Sequence, residues 1–120
     1  MAGSETDDRA EFEQLVAEAM DRLPGWVHER LENVEILVEE HPPKGSPGLM
    51  GLYEGVPLTN RGNNYTWTLP DRITLYRSTI ERSSGHEPER VRRAVIHTVV
   101  HEVAHFFGIS DERLRDMGRY

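Results

Sequence analysis

The stretch that carries most information about the fold and chemistry of this chain is HEVAHFFGISD, residues 101–111. On an α-helix, residues four apart lie one turn above each other, so the imidazoles of His101 and His105 can converge on one metal ion. Glu102 projects about 100° round the helix from His101, where it can reach a water molecule at the metal without taking a coordination position. The spacing predicts a metal site with its own general base, and zinc favours imidazole nitrogen as a ligand.

The residues after His105 predict a sharp turn that brings the chain back to the metal. Gly108 is suited to end a helix in the left-handed conformation because it lacks a Cβ atom. Asp111, three positions later, can then supply a carboxylate as third ligand, which leaves a fourth position for water and so indicates catalysis. Asp111 also fits the first turn of a short final helix, where an acid complements the helix dipole, and Glu112 is then the substitute ligand.

A long helix is predicted from Glu87 to Phe107, with Pro88 in the first turn, where proline is tolerated. Valine recurs every four residues along it, at Val91, Val95, Val99 and Val103. Such a helix is apolar on much of its circumference, and burying the two histidines and the glutamate is costly unless they are paired or bind a metal. His97 lies one turn before His101, and we interpret it as a hydrogen-bonded structural histidine rather than a ligand.

The segment from His97 to Leu114 resembles the zincin metallopeptidases, and its His-Glu-x-x-His-x-x-Gly-x-x-Asp form is similar to metzincin-type sites with aspartate as third ligand. The rest of the chain, with its segments 51–55 and 69–76, resembles a family of very small bacterial zincin-like proteins. The resemblance implies a minimal zincin fold in which the active-site helix packs under a small twisted sheet. It also implies three zinc ligands, namely His101, His105 and Asp111.

The remaining patterns predict an α+β fold. Thr6 with Asp7 and Asp8 caps an N-terminal helix that Pro24-Gly25 ends, and a short turn follows with Trp26 and Val27. Strands are predicted at residues 34–39, within 49–56, at 65–69 and at 73–76, with an irregular loop at 41–48. We therefore expect a minimal zincin-like fold with a twisted sheet of three to four strands, packed on the N-terminal helix and the long active-site helix.

Length and composition limit the class of protein. A chain of 120 residues is expected to form one domain over residues 1–120, with residues 1–6 disordered. It contains no cysteine, so disulfides and thiolate metal sites are excluded. The N-terminus is acidic, with no basic segment followed by an apolar one, and no apolar run reaches membrane-spanning length. These features predict a cytoplasmic protein without a membrane partner.

The formal net charge of -7 argues against nucleic acid as the main partner. Six arginines nevertheless lie around the last predicted strand and the start of the long helix: Arg72, Arg77, Arg82, Arg90, Arg92 and Arg93. We interpret them as solvated charges around the helix entry rather than as a basic patch. The expected partner is a peptide or protein substrate.

Together these features predict a zinc metallopeptidase that hydrolyses peptide bonds with Glu102 as general base. In zincin-like enzymes an edge strand of the cleft binds the extended peptide, and a segment between Gly48 and Tyr76 is the expected equivalent. Two alternatives stay open: a zincin-fold metal-binding interaction module with little or no catalysis, and a metal-dependent ribonuclease with a similar His-x-x-x-His-x-x-Gly helix and turn. A basic rim around the metal would favour the ribonuclease.

Overall fold

The computed structural model describes residues 5–57, 70–116 and 118. In chain order the elements are α1 (Glu5–Asp21), α2 (Gly25–Arg30), β1 (Val34–Glu39), β2 (Gly51–Glu54), β3 (Asp71–Tyr76), α3 (Arg77–Ser83), α4 (Pro88–Phe106) and α5 (Asp111–Asp116). The predicted α+β class is confirmed. Within these ranges, no helix combines the length and the apolar character that crossing a membrane requires.

The three described strands form one mixed sheet in the order β1-β3-β2. β1 runs parallel to β3 and β2 runs antiparallel to it, so that Ile36 and Tyr53 both lie opposite Ile73. Side chains alternate between the faces of a strand, and Ile73 and Leu75 are both 0% exposed on the face that meets the helices. Among these strands β2 lies at an edge, next to the helix that carries the histidines.

The core lies between this sheet face and two helices, because α4 packs against α1 as well as against β2 and β3. Its buried side chains include Phe12, Val16 and Ala19 from α1, Ile73 and Leu75 from β3, and Val91, Val95, Val99 and Val103 from α4. Burying a large aliphatic or aromatic side chain contributes about 1.5–3 kcal/mol. Burial of the four valines therefore fixes the rotation of α4 about its own axis, so that one face of the helix packs toward the sheet.

Local signals set the start of α4. The Glu87 carboxylate accepts hydrogen bonds from the backbone N–H groups of Glu89 and Arg90, at 3.2 and 3.0 Å. These are donors that the first turn of a helix leaves without partners, and Pro88 has no such donor to satisfy. The predicted helix from Glu87 to Phe107 is thus confirmed within one residue at each end, with both of these residues acting as caps.

Two short helices differ from the sequence prediction. Trp26 and Val27 lie in α2 rather than in a turn, because the Pro24 carbonyl accepts a hydrogen bond from Val27 N–H at 3.0 Å and starts a helical turn. Helix α3 follows β3 directly and was not predicted. Arg77, at its start, donates two hydrogen bonds to the Glu40 carboxylate at 2.9 and 2.7 Å, a contact between distant parts of the chain.

The other elements agree with the patterns that predicted them. The strand at 34–39 is confirmed, and the predicted strands within 49–56 and at 73–76 correspond to β2 and β3. Helix α1 is an exception at its start: it begins at Glu5, inside the segment 1–6 for which disorder is predicted, so Thr6 lies within the helix and not at the predicted cap before it. The strand predicted at 65–69 lies outside the described residues.

Candidate metal centre

A glycine turn after α4 folds the chain back toward the last turn of that helix. Gly108 has a φ of 85°, in the left-handed region that favours glycine. Its N–H donates to the His105 carbonyl at 2.9 Å, and Ile109 N–H donates to the Ala104 carbonyl at 3.0 Å. These two bonds form a Schellman motif, so the sequence prediction of a left-handed helix end at Gly108 is confirmed.

Asp111 is the residue that this turn brings back to the helix. It lies in the first turn of α5, whose start is capped by the Ser110 hydroxyl, which accepts a hydrogen bond from Arg113 N–H at 3.1 Å. Its Oδ1 atom is 3.1 Å from Nε2 of His101 and 2.9 Å from Nε2 of His105. Asp111 therefore lies in the first turn of α5 and at the same time faces the two histidines, so the two interpretations of this residue do not exclude each other.

The orientation of His105 favours metal binding. Its Nδ1 atom is 2.8 Å from the Ile109 carbonyl oxygen, which can only accept, so Nδ1 carries the proton in this contact. In the neutral ring Nε2 then holds a lone pair, and this lone pair faces an oxygen of Asp111. The Nε2 lone pair and the Asp111 oxygen repel each other at 2.9 Å unless a proton or a metal ion lies between them. The turn thus provides the kind of second hydrogen bond that orients imidazoles in metal sites.

His101 completes the converging group. Its ring centroid is 4.7 Å from that of His105, and the ring is only partly exposed. Burial is the main cause that lowers the pKa of His101, the neighbouring His105 lowers it further, and Asp111 acts in the opposite direction. A lowered pKa keeps the imidazole neutral, which is the protonation state that binds metals.

Glu102 lies beside the two histidines but in a more buried position. Ligand atoms of His101, Glu102 and His105 are within 4.8 Å of one another, and Glu102 is 6% exposed. Burial raises the pKa of Glu102, whereas the charge of His105 and a hydrogen bond from the Tyr53 backbone lower it. A carboxylate with a raised pKa is suited to accept a proton and to return it.

A cleft of about 370 Å³ opens along this part of α4. Residues 48–51 form one wall, His97 and His101 form the other, and Thr98 and Glu102 also line it. Its position next to Glu102 agrees with the prediction that a segment between Gly48 and Tyr76 forms the cleft edge. A larger cavity, about 680 Å³, lies between α1 and the start of α4, and its lining includes none of the predicted site residues.

His97 differs from its interpretation as a hydrogen-bonded structural histidine. It is exposed in the cleft wall, and its ring centroid is 6.1 Å from that of His101. Its ring makes no hydrogen bond to another residue within the described part of the chain, and it lies outside the group that converges on Asp111. His97 lies one helical turn before His101, farther from the C-terminal end of α4 that the glycine turn follows.

Gly51 is a site residue whose role the sequence analysis did not identify. A Cβ atom built at this position would lie 2.5 Å from Cγ2 of Thr98 and 3.2 Å from Cγ of Glu102. Strand β2 therefore approaches α4 this closely only because residue 51 has no side chain. The available signal was a glycine inside a strand pattern, which often marks a close approach of another element.

We expect Gly51→Ala to destabilise the protein by about 1–3 kcal/mol, because the added methyl group must separate β2 from the short, rigid side chain of Thr98. Denaturant unfolding of the two proteins measures this difference. Gly48→Ala is the matched control, since a Cβ at Gly48 meets no atom within 4 Å, and it should change stability by less than about 0.5 kcal/mol. Equal stabilities of both variants would contradict the close packing.

Comparison with known proteins relates the chain to one family. The profile of the family described as Zincin-like metallopeptidase matches residues 31–119. The matched region includes all three described strands, α4, the glycine turn and α5, whereas α1 and α2 precede it. A search of the curated proteins gave no match.

Proposed function

Because this chain belongs to the zincin-like metallopeptidase family, we propose that it binds one zinc ion and hydrolyses peptide bonds. The proposed ligands are His101, His105 and Asp111. The observation that carries the proposal is the convergence of the two Nε2 atoms on one oxygen of Asp111, at 3.1 and 2.9 Å. Three protein ligands leave one position open, as in catalytic zinc sites.

The donor set supports zinc as the metal. Two imidazole nitrogens and one carboxylate oxygen are ligands that zinc binds in enzymes, and the chain has no thiolate to offer. The hydrogen bond from His105 to the Ile109 carbonyl supports the same conclusion, because zinc-binding histidines usually donate their second ring nitrogen to such an acceptor.

The proposed mechanism assigns proton transfer to Glu102. When bound, zinc supplies Lewis-acid chemistry, which lowers the pKa of a water molecule and polarises the scissile carbonyl. The Glu102 carboxylate accepts the proton of the attacking water and delivers it to the leaving amine. The backbone hydrogen bond from Tyr53 orients this carboxylate, and burial raises its pKa, which favours uptake of the proton. The substrate peptide lies extended in the cleft between residues 48–51 and α4.

Removal and return of zinc test the proposal. Protein stripped with a chelator is expected to cleave no peptide of a diverse unstructured library, and one equivalent of zinc per chain should restore cleavage. Elemental analysis gives the metal content and mass spectrometry identifies the products. Zinc at one equivalent without any cleavage would favour the interaction module, and a protein that takes up no zinc would contradict the metal site itself.

A further inference from the structure

One backbone edge of strand β2 faces helix α4. Tyr76 N–H donates to the Met50 carbonyl at 2.9 Å, which marks these two residues as a hydrogen-bonded pair. Hydrogen-bonded and non-hydrogen-bonded pairs alternate along an antiparallel ladder, so Tyr53, opposite Ile73, belongs to a non-hydrogen-bonded pair. The N–H group of Tyr53 therefore points away from β3, and its acceptor is the carboxylate of the proposed general base, Glu102.

The side chain of Tyr53 lies on the face of the sheet that meets the helices. Its ring packs edge to face against Phe106 of α4, with ring centroids 6.1 Å apart and an interplanar angle of 87°. Its hydroxyl donates a hydrogen bond of 2.7 Å to Oδ2 of Asp71, which lies two residues before Ile73 in β3. Tyr53 thus connects Glu102, through its backbone, to Asp71, through its side chain.

Asp71 is a carboxylic acid in the protein interior, only 2% exposed. Burying a carboxylate is costly unless it is hydrogen-bonded or paired. Gly55 provides the space for it, because a Cβ atom at Gly55 would lie 2.5 Å from Cγ and 2.6 Å from Oδ1 of Asp71. Apolar side chains of similar volume often stabilise an interior as well as a buried polar group does, so stability alone is a weak explanation for Asp71.

The bond between Tyr53 and Asp71 ties the end of β2 to the centre of the sheet. Strand β3 lies between β1 and β2, and Asp71 N–H donates to the Asn33 carbonyl at 2.9 Å, just before β1. Tyr53 is the third residue of a strand of four. The ends of such short elements open most readily, and the bond to a carboxylate on the central strand restrains this end.

We propose that Tyr53 and Asp71 are positioning residues for Glu102: their hydrogen bond holds the end of β2 where Tyr53 N–H keeps the Glu102 carboxylate in one orientation. This inference rests on the proposed function, because it concerns the proposed general base. Both residues act through Glu102 and take no part in the proton transfer themselves. Their effect on the reaction is substantial, since a misplacement of about 1 Å in an active site costs up to about 10²-fold in rate.

Hydrogen exchange of single amides tests the positioning without any cleavage. NMR of the full-length protein compares the amide of residue 53 with that of Leu52, whose pair with Thr74 in β3 is hydrogen-bonded. Tyr53→Phe should speed exchange at residue 53 about tenfold, the effect of about one hydrogen bond, and leave Leu52 within about twofold of wild type. A merely structural loosening of β2 would speed both amides alike.

Four further variants define the cause. Asp71→Ala removes the acceptor of the Tyr53 hydroxyl and should act like Tyr53→Phe, whereas Asp71→Asn keeps an acceptor oxygen and should restore slow exchange at residue 53. Glu102→Ala removes the acceptor of the Tyr53 N–H and should also speed exchange there. Ile80→Val is the control for general destabilisation, because Ile80 is 0% exposed in the core, and it should not change the ratio of the two amide rates.

Turnover provides the second readout. In zinc-loaded protein, Tyr53→Phe should lower kcat about tenfold with KM and zinc content unchanged, and Asp71→Asn should retain most of the activity. Unchanged exchange at residue 53 in Tyr53→Phe, equal acceleration at Leu52, or slow exchange in Glu102→Ala would overturn the proposal. An unchanged kcat in Tyr53→Phe would overturn it as well. Because exchange is measured without turnover, failure of the positioning and failure of the proposed hydrolysis are separate results.

Discussion

His105→Ala is expected to abolish stoichiometric zinc binding. The change removes one of the two proposed imidazole ligands and also the hydrogen bond to the Ile109 carbonyl that orients it. Loss of an orienting partner alone weakens metal binding about 10–100-fold, so loss of a ligand should cost at least the upper end of this range. Elemental analysis after dialysis measures the zinc that remains, and isothermal titration calorimetry at neutral pH measures the affinity.

Neighbouring residues provide matched controls for this loss. His97→Ala should keep one zinc per chain, because His97 lies one turn away from the converging atoms. Asp111→Ala should weaken zinc binding, whereas Glu112→Ala should not, because Asp111 is the carboxylate that contacts both rings. One zinc per chain in the His105→Ala protein would disprove the ligand assignment. If Glu112→Ala lost zinc and Asp111→Ala kept it, Glu112 would replace Asp111 as the third ligand.

Glu102→Gln is expected to keep zinc and to reduce turnover about 10²–10⁴-fold, the usual contribution of a general base. The amide has nearly the same shape, and its carbonyl oxygen can still accept the hydrogen bond from the Tyr53 backbone. It cannot take the proton of the attacking water. The measurement compares kcat of the two zinc-loaded proteins on a peptide that the wild type cleaves.

A second acid on the same part of the chain serves as the control. Glu112→Gln removes an exposed charge from α5 and should leave turnover within about twofold of wild type. Undiminished turnover in Glu102→Gln would remove Glu102 from the mechanism. Loss of zinc from the Glu102→Gln protein would instead identify Glu102 as a ligand, because its carboxylate lies within 4.8 Å of the ligand atoms of both histidines.

Elements with strong local signals are those that the sequence predicts well. Strand β1 agrees with its prediction because Val34, Ile36 and Val38 alternate along the chain, a pattern that the pleat of any strand requires. Helix α4 agrees with its prediction because its signals are local: a capping acid, a first-turn proline and a valine repeat each depend on residues within one or two helical turns. Helix α3 was missed because it has seven residues, too few to be stable alone, and it begins at the contact between Arg77 and Glu40.

The same division applies to the candidate metal centre. The relative placement of His101, Glu102 and His105 follows from the helix period, so the sequence by itself determined it. Sequence reasoning left Asp111 and Glu112 as alternative third ligands. Only the tertiary structure decided which carboxylate faces the rings, because that depends on the Schellman turn and on the packing of α5, whose Leu114 is 3% exposed.

The close approach of β2 to α4 likewise became visible only in three dimensions. Gly51 and Glu102 are distant in the chain, and no local pattern relates them. Their contact arises because the sheet packs on the valine face of α4, and the missing side chain at Gly51 lets the strand come within reach of the Glu102 carboxylate. The helical period thus determined which side chains α4 places on one face, whereas packing between distant segments determined which residues surround those side chains.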